Sequence, residues 1–171
     1  MVLRGHSGRR AKFSPDGKYI VLGTTEGKIQ VWNALTGVEV ATFPGHSGRV
    51  SSIACSPDGK RIVSGSSTDP IVKVWNIVSG TEVLTLPSDG PVLSVAFSPD
   101  GKRIISSSMA GTVTVWDAAT GDEVMNLVVG LEADVSSVAF SPDGKTIAAG
   151  TFDHGIRLWG SGPRTSAGGS D

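Results

Sequence analysis

The sequence predicts an all-β fold of four similar units, and three observations support this prediction. The tetrapeptide Ser-Pro-Asp-Gly recurs in steps of 42, 42 and 43 residues, starting at Ser14, Ser56, Ser98 and Ser141. The tryptophans keep the same spacing, one near the end of each unit, at Trp32, Trp75, Trp116 and Trp159. Glycine makes up 23 of the 171 residues, close to twice its usual share of about 7%, as expected for a chain that turns often. A period of about 40–45 residues with a repeated aromatic is typical of β-propeller blades.

The third unit shows the elements of one blade. Residues 92–97 are apolar and partly β-branched, which favours a strand (strand a) that is covered on both faces. Residues 98–101 place Ser, Pro and Gly at the first, second and fourth positions of a type I turn, where each is favoured. Three more strands follow, b at 103–107, c at 112–116 with apolar alternation, and d at 123–127. Four antiparallel strands therefore make one blade.

The repetition of these elements predicts a β-propeller of four antiparallel four-stranded blades, without a substantial helix. Such units stack on their neighbours because none of them can bury a core alone. We expect the propeller region to cover residues 1–159 and a flexible Gly/Ser-rich tail to follow at residues 160–171. The predicted repeats span approximately residues 5–43, 45–86, 87–127 and 130–159.

Two further motifs give the chain its resemblance to a known family. Gly45-His46 opens the second unit, and Trp116-Asp117, with its relatives Trp32-Asn33 and Trp75-Asn76, closes strand c. Together with the four Ser-Pro-Asp-Gly turns, these motifs resemble the WD-repeat β-propeller family over residues 5–159. The resemblance implies blades arranged in a ring, usually six to eight of them, with loop faces that bind protein or peptide partners.

The resemblance also implies a buried hydrogen-bonded set in each blade. Its members are the His of Gly-His, a hydroxyl on strand b, an Asp in the b–c turn and the Trp of strand c. A buried indole N–H needs an acceptor, a hydroxyl can accept it and donate onward, and a carboxylate can end the chain. Only the second unit supplies all four, as His46, Ser64, Asp69 and Trp75. Blades 1, 3 and 4 are therefore expected to unfold locally more easily than blade 2.

The first unit departs from the others in strand a. Arg10 and Lys12 stand where the other units have Ser and Ala. Charges do not suit a sealed interface, so either blade 1 is degenerate or this face is open to solvent or a partner. The distance from His6 to Ser14 is two residues shorter than the corresponding distance in the second unit, which predicts a shortened strand a.

Three ring arrangements remain open: an open half-ring, a closed four-blade ring, and half of an eight-blade ring formed by two chains. The fourth unit stops after strand c, whereas residues 2–4 align with the end of a strand d, as residues 42–44 do before Gly45. In the family that the chain resembles, one terminus commonly completes the blade begun by the other. An open half-ring would expose an edge strand and an apolar face, which favours self-association.

No motif in the sequence predicts an enzyme, a cofactor or a metal centre. Four of the sixteen acidic residues belong to the repeated turns, and Asp153-His154 is an adjacent pair without a further ligand. A single cysteine, Cys55, excludes an internal disulfide and a multi-cysteine metal site. The glycine-rich turns lack the Lys-Ser/Thr of a phosphate-binding loop. We therefore expect no catalytic residue, no metal and no cofactor.

Two faces of the predicted propeller carry candidate binding residues. On the a–b face, Lys18, Lys60, Lys102 and Lys145 follow the turns, with Arg61 and Arg103 beside two of them. We expect solvated side chains there, with an anionic partner as the alternative. On the opposite face, the d–a and b–c loops carry the candidate partner-binding residues Arg49, Thr68, Pro70, Asp89, Pro91, Met109, Asp134, Phe152 and His154.

The function that the sequence favours is a noncatalytic scaffold that binds protein or peptide partners through the propeller-face loops. One alternative is a half-propeller that functions only in a larger assembly, and another is an enzyme or small-ligand-binding propeller with a central-channel site. With a net charge of −1, the chain as a whole has no net electrostatic attraction to nucleic acid or to an anionic membrane. With neither a signal peptide nor a long apolar run, we expect an intracellular, cytoplasmic protein, with the nucleus as the alternative.

Overall fold

The computed structural model describes residues 8–130, 134–153 and 155–160, with side chains from residue 10 onward. This part of the chain forms fifteen β-strands and no helix, so it contains no helix that could span a membrane. The strands are β1 Gly8–Phe13, β2 Tyr19–Thr24, β3 Ile29–Asn33, β4 Glu39–Phe43, β5 Val50–Cys55, β6 Arg61–Ser66, β7 Ile71–Asn76, β8 Glu82–Pro87, β9 Val92–Phe97, β10 Arg103–Ser108, β11 Thr112–Asp117, β12 Glu123–Val128, β13 Val135–Phe140, β14 Thr146–Thr151 and β15 Ile156–Gly160.

The strands form four antiparallel sheets in which sequence neighbours pair: β1–β4 (blade 1), β5–β8 (blade 2), β9–β12 (blade 3) and β13–β15 (blade 4). Strands a to d of the third unit are β9 to β12. The predicted all-β propeller architecture is therefore confirmed, with one difference. Blade 4 has three strands in the described residues instead of four, which leaves β15 as an edge strand.

The Ser-Pro-Asp-Gly turns owe their recurrence to a set of local hydrogen bonds. In the first turn, Ser14 Oγ donates to Asp16 Oδ1 (2.6 Å) and accepts the backbone N–H of Tyr19 (2.9 Å). Asp16 also accepts the backbone N–H of Lys18, and Gly17 closes the turn with a φ of +71°. The hydrogen bond from Ser14 and then the one from Lys18 lower the pKa of Asp16. The turn aspartates are thus structural residues.

The cores lie between consecutive blades. Val21 and Val31 of blade 1 pack with Ile53, Ile62 and Trp75 of blade 2 in one buried cluster. Two further clusters join blade 2 to blade 3 and blade 3 to blade 4 through equivalent positions. Each blade therefore has a leading face, formed mainly by strands b and c, that packs on the following blade. Its trailing face, which includes the tryptophan, packs on the preceding blade.

Strand β1 corrects one prediction and explains the charges in the first unit. It has six residues, as β5, β9 and β13 do, so the predicted shortening of strand a is wrong. The two missing residues are lost from the segment between His6 and β1, and His6 lies outside the described residues. Arg10 and Lys12 are exposed, and Arg10 Nε donates to the Ser51 carbonyl of blade 2 (2.8 Å). This surface is therefore open to solvent.

The four blades form an open arc. β1 packs against β5, β5 against β9, and β9 against β13. No comparable packing joins blade 4 to blade 1 in the described part of the chain. The closed four-blade ring, one of the three predicted arrangements, is therefore wrong for this structure. Residues 2–4, which the sequence aligned with a closing strand d, lie outside the described residues.

Candidate interaction surface

One edge of the arc is formed by the d–a loops and the b–c turns, which we call the loop rim. Within each of blades 2 to 4, the turn donates a backbone N–H to the preceding loop. The pairs are Ser67 N to Arg49 O (3.2 Å), Met109 N to Pro91 O (2.9 Å) and Phe152 N to Asp134 O (3.1 Å). The structure thus brings five of the predicted loop residues into three equivalent pairs, one on each blade, with Ser67 as the sixth member.

Two apolar side chains stand out on the loop rim. Phe152 is 64% exposed and Met109 is 47% exposed, each at the tip of a b–c turn. Among the other predicted rim residues, Thr68, Pro70 and Asp89 are exposed, whereas Arg49, Pro91 and Asp134 are half-buried. His154 lies outside the described residues. The loop rim therefore presents apolar tips surrounded by polar side chains.

A rim network in blade 3 was missed by the sequence analysis. Asp89 accepts hydrogen bonds from Ser108 Oγ (2.9 Å) and Thr112 Oγ1 (2.8 Å), and both hydroxyl residues are buried. The carboxylate comes from the d–a loop and not from the b–c turn, where the family pattern places it. A Ser at the end of strand b and a Thr at the start of strand c were the available signals. Asp89 is thus a structural residue as well as a rim residue.

The predicted set of blade 2 lies directly beneath the loop rim. Trp75 Nε1 donates to Ser64 Oγ (3.0 Å), and Ser64 Oγ lies 2.9 Å from His46 Nε2. His46 Nδ1 faces Asp69 Oδ2 at 3.5 Å, which is too long for a strong hydrogen bond. Asp69 instead accepts both the backbone N–H (2.9 Å) and the hydroxyl of Ser47. The four residues form one buried chain whose last link is an electrostatic contact.

The titratable residues of this set have shifted pKa values. Burial lowers the pKa of His46 below 6.5, although the nearby Asp69 carboxylate acts in the opposite direction. Burial alone would raise the pKa of Asp69, but the hydrogen bonds from Ser47 and the charge interaction with His46 leave it below its ordinary value. A neutral His46 next to an ionised Asp69 is therefore the expected state at neutral pH.

The His46 shift predicts that the protein loses stability as the pH falls below about 6.5. The unfolded chain binds a proton at His46 near pH 6.5, whereas the folded chain resists that proton to a lower pH. As the pH falls from the pKa of His46 in the unfolded chain to its lower pKa in the folded chain, the free energy of unfolding should fall by up to about 1.4 kcal/mol per pH unit. Urea unfolding at pH 7 and pH 5 measures this difference.

The control for this prediction is His46→Gln, which removes the buried imidazole and leaves the other two histidines in place. Its free energy of unfolding should change less between pH 7 and pH 5 than that of the wild type. The turn aspartates do not interfere, since their pKa values lie below the ordinary 3.8. An equal pH dependence in both proteins would show that His46 is not the titrating group.

The other blades keep only parts of the set. In blade 3, Trp116 Nε1 donates to Ser106 Oγ (3.0 Å) without a histidine beyond it. In blade 1, Leu22 replaces the serine, and the buried Trp32 Nε1 has no hydrogen-bond partner in the described structure. In blade 4, Trp159 is only half-buried. That these blades unfold locally more easily than blade 2 remains a prediction.

The a–b face differs from the expected row of solvated cations. Arg61 donates to the Ala118 carbonyl of blade 3 and lies 5.7 Å from the centre of the Phe97 ring, so it links two blades. Arg103 forms an ion pair with Asp117 (2.6 Å). The four turn lysines are exposed, as expected. The arginines thus belong to the fold, which weakens the alternative of a basic ring for an anionic partner.

The inner strands border a groove of about 310 Å³ at the centre of the arc, which is where a channel site would lie. Its lining includes Arg10, Lys12 and several serines. Two of these serines, Ser52 and Ser94, accept backbone N–H groups from the following blades, at 3.1 and 3.3 Å. The serines therefore hold neighbouring blades together, and no acid–base pair lines the groove in the described structure.

Among the described residues, neither Cys55 nor the acidic side chains form a recognisable reactive centre. Burial raises the pKa of Cys55 to about 11, so its thiol is protonated at neutral pH and is a poor nucleophile. Within residues 8–130, 134–153 and 155–160, no group of three or more His, Cys, Asp or Glu side chains could hold a metal ion. The loop rim is therefore the candidate site that the described surface supports best.

Comparison with known proteins gives matches that differ in extent. A family model described as "IFT122 first beta-propeller" matches residues 8–167. Guanine nucleotide-binding protein subunit beta-5b of Danio rerio is 43% identical over 54 residues, which is 32% of this chain and 14% of that protein. Pre-mRNA-processing factor 19 of Homo sapiens and of Bos taurus is 46% identical over 44 residues, 26% of this chain and 9% of those proteins.

The two kinds of match carry different information. The family model covers all fifteen described strands. The curated relatives are WD-repeat proteins, but the matched segments span only 14% and 9% of their lengths. Proteins with such repeats are typically interaction scaffolds, generally noncatalytic, that bind protein partners.

Proposed function

Because this chain belongs to the WD-repeat β-propeller family, through its match to the IFT122 first beta-propeller, we propose that it is a noncatalytic scaffold whose loop rim binds protein or peptide partners. The observation that carries the proposal is the exposure of Met109 and Phe152 at the tips of two b–c turns of neighbouring blades. Aromatic residues and methionine are enriched at protein interfaces. We also propose an intracellular location, since the single Cys55 suits a reducing compartment.

The rigid attachment of the loop rim supports this assignment. Each tip residue is tied through its own backbone N–H to a d–a loop, Met109 to Pro91 and Phe152 to Asp134. In blade 3, Asp89 further fixes the two hydroxyl residues at the ends of the turn. A tip whose backbone is held in one place loses little backbone freedom when a partner covers its side chain, and this favours binding.

The test is partner capture with the double variant Met109→Asp/Phe152→Asp, compared with the wild type by quantitative mass spectrometry. Proteins that the wild type retains should be lost or reduced by about tenfold or more, because truncating an interface anchor costs about 2 kcal/mol or more. Both side chains are exposed, so the fold should be unaffected, and circular dichroism checks this.

The matched control is Leu35→Asp/Val78→Asp. These residues are 89% and 87% exposed and lie in c–d turns, which hydrogen-bond to the a–b turns on the opposite edge of the arc. The control should retain the same partners as the wild type. If the rim variant retains them too, the proposal is wrong.

A second candidate function is that of a half-propeller that works only in a larger assembly, including one formed by self-association. The open arc favours it, because the trailing face of blade 1 and the leading face of blade 4 carry exposed apolar residues such as Phe13 and Leu158. Large exposed apolar patches commonly mark interaction sites. The size of the chain in solution at several concentrations distinguishes this candidate from an autonomous monomeric scaffold.

A further inference from the structure

The leading face of blade 4 is an interblade surface that no other blade covers in the described part of the chain. Leu158, the residue before the tryptophan of β15, is 65% exposed, whereas its equivalents in the other blades, Val31, Val74 and Val115, are at most 6% exposed. Two residues earlier, Ile156 is 73% exposed, whereas its equivalents Ile29, Val72 and Val113 are at 0%. Blade 4 thus keeps the apolar side chains of an interblade core and exposes them.

The trailing face of blade 1 is the opposite half of such a core. Phe13, the last residue of β1, is 65% exposed. Its equivalents in the other blades pack against the interblade clusters: Cys55, Phe97 and Phe140. Ala11 is exposed as well, whereas its equivalents Ile53, Val95 and Val138 are buried. On strand a, blade 1 therefore exposes Ala11 and Phe13 where the other blades are covered, whereas Trp32 on the same face is only 8% exposed.

The cations of β1 do not lie on this exposed face. Alternate residues of a strand point to opposite faces, so Arg10 and Lys12 point away from the side that carries Ala11 and Phe13. Ala54, the equivalent of Lys12 in blade 2, packs towards the following blade. The trailing face of blade 1 is therefore apolar although its strand carries two charges.

A hydrogen-bond register accompanies the apolar match. Val95 N donates to Ser52 Oγ across the junction of blades 2 and 3, and Val138 N donates to Ser94 Oγ across the next junction. The next acceptor in this series is Ser137, which is exposed and makes no side-chain hydrogen bond with the described residues. The equivalent donor on blade 1 is the backbone N–H of Ala11. The two ends of the arc thus carry the two halves of one repeated contact.

We propose that the leading face of blade 4 packs on the trailing face of blade 1 of a second copy of this chain. The occupant is a second copy because its blade 1 supplies apolar residues equivalent to those at the three existing junctions, and an N–H donor equivalent to those at two of them. With two copies related by a two-fold axis, both junctions are the same, and an eight-blade ring closes without a free end face. This inference rests on the half-propeller candidate of the proposed function and deepens it, and it does not depend on the loop-rim scaffold.

The test uses two variants of the full chain, Leu158→Asp and Phe13→Asp, with molar mass measured by light scattering over a range of concentrations. The wild type should have twice the monomer mass. Each variant should dissociate into monomers, with a loss of affinity on the order of 100-fold or more, because an unpaired carboxylate would be buried at both junctions. Val78→Asp, at a residue that is 87% exposed on a c–d turn, should remain a dimer.

Mixing the two variants distinguishes this specific pairing from non-specific hydrophobic association. In a mixed pair, the intact blade 4 of the Phe13→Asp chain meets the intact blade 1 of the Leu158→Asp chain, so the mixture should regain a species of twice the monomer mass. A monomeric wild type, dimers that persist in either single variant, or a mixture that stays monomeric would each overturn the proposal. The rim variant Met109→Asp/Phe152→Asp should dimerise normally, so failure of the loop-rim function gives a separate result.

Discussion

Truncation of Trp75 to alanine should lower the free energy of unfolding by about 3–5 kcal/mol, the usual cost of removing a buried tryptophan. Trp75 is 2% exposed, and its ring stacks on Phe43 of blade 1 with the ring centres 6.3 Å apart. Its removal would empty the centre of the blade 1–2 core. It would also leave Ser64 without its indole donor, next to the buried His46.

The control is Trp159→Ala, the same chemical change at the equivalent position of blade 4. Trp159 is half-buried, and the strand that carries it has an open edge. The loss of stability should be less than half of that for Trp75→Ala, since less apolar surface is removed from its neighbours. Urea unfolding followed by circular dichroism gives both values without relying on tryptophan fluorescence. Equal losses would show that blade 4 packs as tightly as blade 2.

The regular part of this fold could be predicted from the sequence because it depends on local chemistry. Ser14 and Asp16 hold their turn by contacts within five residues, so the tetrapeptide alone indicates the reversal. The alternating strands beside each turn then have one favourable pairing. The positions of strands a to d in the third unit followed directly from these two signals.

The parts that could not be predicted depend on contacts between distant residues. Arg61 follows a turn, as the solvated lysines do, but it reaches a carbonyl 57 residues later in the chain, in blade 3. Asp89 comes from the loop before its blade, so the family pattern gave no reason to pair it with Ser108. The shortened strand was predicted from a residue count, and the count could not show that a loop had lost the residues.

The loop rim was predictable in position but only partly in character. The fold places the d–a and b–c loops at one edge, so the approximate location of Met109 and Phe152 followed from the repeat. Which rim residues are exposed depends on the packing of neighbouring loops. Arg49 and Asp134 are half-buried for this reason, whereas Thr68 and Asp89 are exposed. The repeat therefore predicts which loops lie at the rim, but not which of their residues are exposed.

Replacement of Gly27 by alanine should be about as damaging as the loss of a core side chain. Gly27 lies in the b–c turn of blade 1 with a φ of +84°, which costs an ordinary residue about 1–2 kcal/mol. An added Cβ would also lie 2.1 Å from the His46 carbonyl oxygen and 2.7 Å from that of Gly48. Both are backbone atoms that cannot rotate away, and such overpacking costs about 1–3 kcal/mol more. The expected loss of stability is therefore about 2–5 kcal/mol.

The variant Gly17→Ala separates the backbone strain at positive φ from the overlap of the added Cβ with neighbouring atoms. Gly17 has a φ of +71°, and a Cβ there would meet no atom within 4 Å, so only the backbone strain of about 1–2 kcal/mol should appear. The difference between the two variants in urea unfolding measures the contact between the blade 1 turn and the loop that carries His46. That contact includes the His46 N–H, which donates to the Gly27 carbonyl (2.8 Å). Similar losses for both variants would mean that the loop moves aside freely, and the hydrogen-bonded set of blade 2 would then not depend on blade 1 for its position.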